Sequence, residues 1–298
     1  MTRERDRNVR VGFAGLGAMG GGMCRRLADS GFEVLAFDLD PDAVRAAGEH
    51  PGVTGVPDAA SLAAPVVVTM LPDGSAVRRV ADALLPYLAP GSLLVDSGSS
   101  APDGTVELGR AAAAHQVDVV DAPVSGSPAA ARAGELTLMA AGAAGPLDRA
   151  EPVLSALGRV HRVGPAGAGH ALKALNNLLS AINLAAVAEV MLAGREFGLE
   201  PGVMLAVINA STGRNHASET KLPDHVLSGT FDSGFALRLM LKDIRIATAL
   251  ERAAGGPASF GRACQELWEK AGAELPGTAD NVEVVRWLEQ AAGQELRA

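Results

Sequence analysis

The six residues Gly15-Leu16-Gly17-Ala18-Met19-Gly20 constrain the fold more than anything else in the chain. The string G-x-G-x-x-G is a weak signal alone, and its flanks are what give it force. The apolar run Val9–Ala14 precedes it and a helix-forming stretch through Arg25–Ala28 follows. A second apolar run, Glu33–Phe37, then ends in Asp38, twenty-three residues after Gly15. That order of strand, glycine turn, helix, strand and acid is the order of a dinucleotide-binding βαβ unit. In such a unit Gly15 permits the tight turn, Gly17 lets backbone approach a pyrophosphate, and Gly20 lets the helix pack close to the strand. The helix N-terminus then faces the phosphates.

Asp38 can accept hydrogen bonds from an adenosine ribose diol, and its charge repels a 2′-phosphate, which favours NAD over NADP. Leu39 follows, where a compensating Arg would be expected for NADP. The blander reading is that Asp38 only starts the turn before Asp40-Pro41. The alternation continues through the runs Pro65–Met70, Ser92–Asp96, Val117–Asp121, Leu136–Ala140 and Arg159–Val163, separated by Ala-rich helical stretches. This predicts a parallel sheet covered by helices. Ligands of such sheets sit beyond the carboxyl ends of the strands, which places Met70-Leu71-Pro72 and the segment Asp96–Ser100, with Ser99, beside the cofactor. Both segments can also be read as ordinary strand-ending turns.

After Gly164 the strand-like runs stop. Ala166 to Phe197 reads as one long helix, rich in Ala and Leu and free of Pro. Gly198 stops it, Pro201 opens another helix at a position where its missing N–H is no loss, and three more are expected at Phe235–Ala254, Pro257–Ala273 and Ala279–Ala292. The fold class is therefore α/β. A doubly wound Rossmann domain over residues 1–164 leads into an all-α domain over residues 165–298, with a long interdomain helix.

Composition narrows the partners. There are 34 acidic against 26 basic residues, a formal net charge of -8, so no basic footprint for nucleic acid or an anionic membrane is expected. Only 3% of residues are aromatic against 48% hydrophobic, so the cores must be built from Ala, Val, Leu and Ile. Cys24 and Cys264 form no CxxC pattern, and His50, His115, His161, His170, His216 and His225 show no metal-ligand spacing. No metal is expected, and no G-x-S-x-G elbow supports nucleophilic hydrolysis. The charged N-terminus lacks a signal-peptide core, and no apolar run is read as approaching the ~18 residues of a membrane span. A cytoplasmic protein with a small-molecule partner is the expectation.

Two further segments can carry chemistry. Asp121-Ala122-Pro123-Val124-Ser125-Gly126-Ser127-Pro128 offers backbone N–H groups and the hydroxyls of Ser125 and Ser127, a composition suited to cradling a carboxylate. The blander reading is a Pro-bounded loop that only connects. In Gly167-Ala168-Gly169-His170-Ala171-Leu172-Lys173-Ala174-Leu175-Asn176-Asn177, Lys173 and Asn177 are four apart and share one helix face. By itself Lys173 is either a snorkelling surface lysine or a buried group with tuned basicity. His170 reads as an ordinary helix-face residue.

Gly15–Gly20, the Asp121–Ser127 loop, Gly167-x-Gly169-x-x-x-Lys173-x-x-x-Asn177 and Lys242-Asp243 occur together and in order, and this set resembles the 3-hydroxyisobutyrate dehydrogenases and their β-hydroxyacid dehydrogenase relatives. The resemblance implies NAD-dependent oxidation of a small 3-hydroxy acid, with Lys173 as the catalytic acid/base. It implies that Asn177 places substrate and lysine, that Ser125 and Gly126 hold the substrate carboxylate, and that Lys242 approaches the cofactor; Ser127 joins the substrate site by its own hydroxyl. Ser99 stands where many relatives carry Thr, and Ser127 where Gly is frequent. Reduction of tartronate or succinic semialdehyde by the same chemistry, or a non-catalytic NAD-binding module, are the alternatives. Asn176-Asn177 differs from the His-Asn of 6-phosphogluconate dehydrogenases, and Lys173 from its absence in imine reductases. Arg214, in Ser211-Thr212-Gly213-Arg214, either assists an acidic substrate or anchors a loop. The Ala-rich spine helix suggests a homodimer or homotetramer.

Overall fold

The computed structural model describes residues 9–297 and divides into two compact units, one ending at Lys173 and the other beginning at Ala174. The elements of the first are β1 (Arg10–Ala14), α1 (Gly20–Asp29), β2 (Glu33–Phe37), α2 (Pro41–Gly48), β3 (Val53–Gly55), β4 (Val66–Thr69), α3 (Gly74–Leu84), β5 (Leu93–Asp96), α4 (Pro102–Ala113), β6 (Asp118–Asp121), β7 (Val124–Ser125), α5 (Pro128–Ala133), β8 (Leu136–Ala141), α6 (Ala144–Leu157) and β9 (Gly158–Gly164). Its sheet runs β3-β2-β1-β4-β5-β6-β8-β7, with β9 pairing β8. The first six strands have the 3-2-1-4-5-6 order of a doubly wound nucleotide-binding sheet.

Strand chemistry accounts for the two covered faces. Along β4, Val66 and Val68 enter one core with Met23 and Leu27 of α1 and Leu154 of α6, while Val67 enters the other with Val77 and Ala81 of α3 and Leu108 of α4. Alternation of side chains at period two makes both faces apolar, as a sheet buried on both sides requires. The sheet is parallel, as expected, over its first six strands and becomes mixed beyond them. Pairs among β1 to β6 are parallel, but β8 runs antiparallel to β6 and β7. Strand direction follows from connection length, since a strand reached through the short α5 has no room for a crossover.

The second unit is helical. The helix α7 (Ala168–Glu196) leads into it, and α8 (Pro201–Asn209), α9 (Leu237–Ala253), α10 (Ser259–Glu274) and α11 (Glu283–Ala292) follow. Glu200 caps α8, its carboxylate accepting the Gly202 and Val203 amides, with Pro201 in the first turn. Those amides pull the Glu200 carboxyl below its ordinary range. The core is mostly aliphatic, from Leu178, Ala181, Leu184, Ala188 and Met191 of α7 to Ile244, Ala247 and Ala271, around the fully buried Trp268. Trp287 packs at its edge and donates its indole N–H to Glu274 at 2.7 Å.

Two features differ from expectation. A π-helix spans Ala217–Leu227, with Pro223 inside it and the Asn215 side chain accepting the Ala217 and Ser218 amides at its start. The other is α7, which is long and apolar enough to cross a membrane by length and composition, with a mean hydropathy of 1.5 over its most apolar window. Half of that window is buried inside the structure, the pattern of a core helix.

Candidate active site

The loops after β1, β4 and β5 converge because those strands are neighbours in the sheet. Gly15, at φ +98°, donates its N–H to Phe37 O at 2.9 Å. A Cβ on Gly15 would lie 2.3 Å from Met70 O, and one on Gly20 would lie 1.9 Å from Gly15 O. Both are therefore glycine for the protein's own packing. Gly17 is different: a Cβ there would meet nothing within 4 Å. Nothing inside the protein demands a glycine at that exposed position, so the space is the kind a bound pyrophosphate fills. Leu16, Ala18 and Met19 complete the turn, which leads directly into the N-terminus of α1.

Asp38 braces this turn. Its Oδ2 accepts the Leu16 N–H at 2.6 Å and its Oδ1 the Asp40 N–H at 3.0 Å. A carboxylate has about four lone-pair sites, so two acceptor positions remain for a ribose diol. Leu39 beside it is 88% exposed. Both readings of Asp38, turn-former and ribose acceptor, are compatible with this geometry.

The Asp96–Ser100 loop is held from beneath. Asp96, buried at the end of β5, accepts Gly98 N–H at 2.9 Å and the Thr69 hydroxyl at 3.1 Å on Oδ1, and the Ser100 hydroxyl at 2.6 Å on Oδ2. Ser99 is the more exposed residue of that loop. A Cβ on Gly98 would lie 2.7 Å from Leu71 O, so the segment Met70-Leu71-Pro72 and the serine loop touch.

The Asp121–Ser127 segment is more ordered than an open cradle. Val124 and Ser125 form β7, and Gly126 turns the chain at φ +144°. Ser127 is the N-cap of α5, its oxygen accepting Ala130 N–H at 3.2 Å. That oxygen is committed as an acceptor, and only its O–H is left to donate. Asp121 is fully buried and caps α7 instead, Oδ1 accepting Gly167 N–H at 2.8 Å and Oδ2 accepting His170 N–H at 3.0 Å. Sequence reasoning missed this role, whose only trace is an acid ending a Val-rich strand. His170 is buried, not an ordinary face residue, with Nδ1 at 2.6 Å from Thr105 Oγ1.

On α7, Lys173 is half-buried and Asn177 lies one turn further along the same face. In the helical unit Asn177 is 6% exposed and donates Nδ2 to Asp243 Oδ2 at 2.7 Å, while Lys242 Nζ lies 3.3 Å from Asp243 Oδ1. Asp243 thus fixes which end of the Asn177 amide faces which way and holds Lys242 from the same helix, α9. Arg214 pairs with Glu219 at 3.6 Å and is largely exposed. Among the described residues no cluster of His, Cys, Asp and Glu could hold a metal.

Comparison with known proteins covers nearly the whole chain. Residues 10–167 match the family of the NAD binding domain of 6-phosphogluconate dehydrogenase, and residues 167–288 match the family described as NAD-binding of NADP-dependent 3-hydroxyisobutyrate dehydrogenase. The chain is 35% identical to 2-(hydroxymethyl)glutarate dehydrogenase of Eubacterium barkeri, with 97% of each covered. It is 36% identical to 3-hydroxyisobutyrate dehydrogenase of Pseudomonas aeruginosa, over 87% of this chain and 90% of that one. The solved structure of Mycobacterium tuberculosis 3-hydroxyisobutyrate dehydrogenase with L-serine superposes with a TM-score of 0.87 at 32% identity, covering 94% and 99% of the two chains.

Proposed function

Because the chain belongs to the 3-hydroxyisobutyrate dehydrogenase family, NAD-binding oxidoreductases acting on CH–OH donors, we propose that it oxidises a small 3-hydroxy acid with Lys173 as the proton-transfer residue. Three of the compounds named for its relatives, 3-hydroxyisobutyrate, 2-(hydroxymethyl)glutarate and L-serine, share a hydroxymethyl group on the carbon that bears a carboxylate, whereas L-threonate does not. That shared fragment is the proposed substrate class. The observation that carries the reading is Lys173 on one face of α7 with Asn177 four residues on, the latter locked by Asp243.

Oxidising the alcohol removes a hydride and a proton. NAD, when bound, accepts the hydride. The Lys173 amine takes the hydroxyl proton and returns it when the reaction runs backwards. Asn177 orients the substrate against the lysine, its amide unable to flip without losing Asp243. Ser125, the Gly126 amide and the Ser127 hydroxyl proton provide donors for the carboxylate. Asp38 favours NAD over NADP at the ribose, Ser99 and the segment Met70-Leu71-Pro72 border the cofactor, and Lys242 is assigned a part in binding it. We also propose a cytoplasmic location and a homodimer or homotetramer, the assembly being supported by Leu179 and Val190 of α7, Phe197 just beyond it, and Val203 and Val207 of α8, all exposed apolar residues.

The test is turnover of the three acids and of matching uncharged alcohols, followed by NADH absorbance, for the native chain and Lys173→Ala. General acid–base catalysis is worth ~10²–10⁴-fold, so Lys173→Ala should lose that much turnover while NAD binding persists. A folded Lys173→Ala protein with more than about a tenth of native activity, a loss of only ~1.4 kcal/mol, would move the chemistry to another residue.

A further inference from the structure

We infer that Asp121 and His170 are positioning residues for Lys173, clamping the first turn of its helix to the cofactor-facing end of the sheet; this rests on the assignment of Lys173 above. The geometry lies wholly within the first unit. The first turn of α7 has amides with no partner inside the helix. Asp121, the last residue of β6, meets two of them with its two carboxylate oxygens, at 2.8 Å to Gly167 N and 3.0 Å to His170 N. A carboxylate at a helix N-terminus also matches the helix dipole. Lys173 lies three residues beyond His170, so whatever fixes that turn fixes the origin of the lysine side chain.

The His170 side chain extends the clamp in a second direction. Its imidazole is fully buried, with Nδ1 at 2.6 Å from the Thr105 hydroxyl of α4 and Nε2 at 3.6 Å from Asp96 Oδ2. Either the Thr105 O–H donates to Nδ1 with the proton of the ring on Nε2, facing Asp96, or Nδ1–H donates to the Thr105 oxygen while its O–H serves Ala101 O at 3.4 Å. Nε2 itself has no hydrogen bond, the Asp96 oxygen lying just beyond hydrogen-bond length. Asp96 in turn holds Gly98, Ser100 and Thr69. One buried histidine therefore joins the start of the lysine's helix to the helix α4, and stands 3.6 Å from the carboxylate that holds the serine loop proposed to border the cofactor. A misplacement of about 1 Å at a reacting group costs on the order of 10²-fold in rate.

The test is a double-mutant cycle. Asp121→Asn keeps one acceptor but turns an amide donor towards the second N–H; His170→Ala removes the link to Thr105 and Asp96, and His170→Gln restores groups able to reach both. Each is made in the native chain and in Lys173→Ala, and kcat and KM are measured with 3-hydroxyisobutyrate, 2-(hydroxymethyl)glutarate and L-serine, with NAD affinity by titration. Expected in the native background is a fall in kcat of roughly 10–100-fold for Asp121→Asn and His170→Ala, NAD affinity within about twofold, and substantial recovery in His170→Gln. In the Lys173→Ala background the same changes should alter the residual rate by less than about twofold, because residues acting through one group are non-additive. An equal fractional loss in both backgrounds, or a loss confined to NAD affinity, overturns the inference. Should Asp121→Asn fail to fold, the His170 pair completes the cycle alone. Full activity of Lys173→Ala itself would instead refute the functional reading beneath it, a separate and distinguishable outcome.

Discussion

A single methyl group at Gly169 tests how tightly the start of α7 is seated. A Cβ at this position would lie 2.2 Å from the Met139 carbonyl oxygen, 2.8 Å from Asp121 Oδ2 and 3.1 Å from Pro123 Cδ. Ordinary contact begins at 3.4 Å, so the helix start must recede by about 1 Å. Met139 cannot give way instead, because β8 is fixed on both sides: its N–H bonds Pro123 O at 3.0 Å and the strand pairs with β9. Overpacking of this kind costs typically about 1–3 kcal/mol, or roughly 2–5 °C of melting temperature for a chain this size. The same recession carries Lys173 with it, and about 1 Å at a reacting group costs on the order of 10²-fold in turnover, close to 2.7 kcal/mol of barrier. Gly169→Ala should therefore lower both the melting temperature by circular dichroism and kcat, while NAD affinity, set by the Gly15–Gly20 turn, stays within about twofold. A Gly169→Ala protein with native kcat and an unshifted melt would refute the close approach.

Two other outcomes follow from the first unit and the thiols. Asp38→Asn with Leu39→Arg keeps the acceptor for Leu16 N–H but exchanges a negative for a positive charge beside the ribose; kcat/KM with NADP relative to NAD should rise at least ~10-fold. No change in that ratio would leave Asp38 as a brace for the turn and nothing more. Burial pushes the Cys24 and Cys264 thiols up to about 12, with Arg25 opposing the rise at Cys24 and Glu251 adding to it at Cys264. A thiol reagent at pH ~8 should therefore label neither in the folded protein and both after denaturation, because the thiolate is the reactive form. Rapid labelling of the native chain would contradict the packing around them.

What could be read from the sequence depended on whether the information was local. Glu33–Phe37 is legible to the residue because Gly31 and Asp38 bracket a β-rich run, and the start of α8 because Glu200-Pro201 is a cap followed by a first-turn proline. The strands β3 and β7, three and two residues long, are too short to show a period and exist because neighbouring strands offer them partners. The π-helix hides behind Pro223, which reads as a helix breaker. At the candidate site, Gly15, Gly17 and Gly20 announce themselves by spacing. The roles of Asp121 and His170 do not, since their partners lie 46 to 65 residues away in sequence. Ser127 shows the converse: a hydroxyl that suits ligand binding by composition is engaged locally as a helix cap.

The placement of Trp268 in the helical core has an optical consequence. Both tryptophans of the chain, Trp268 and Trp287, belong to the second unit, whereas the lone tyrosine, Tyr87, is in the first and mostly exposed. Indole emission is thus a built-in reporter of the helices alone, and the sheet-bearing half is nearly silent at that wavelength. Far-ultraviolet dichroism, which sums over the whole backbone, sees both. Coincident transitions by the two probes mark a single cooperative event, and divergent ones mark separate melting of the halves. Native placement of the two indoles therefore makes the energetic coupling of the units measurable without attaching any label.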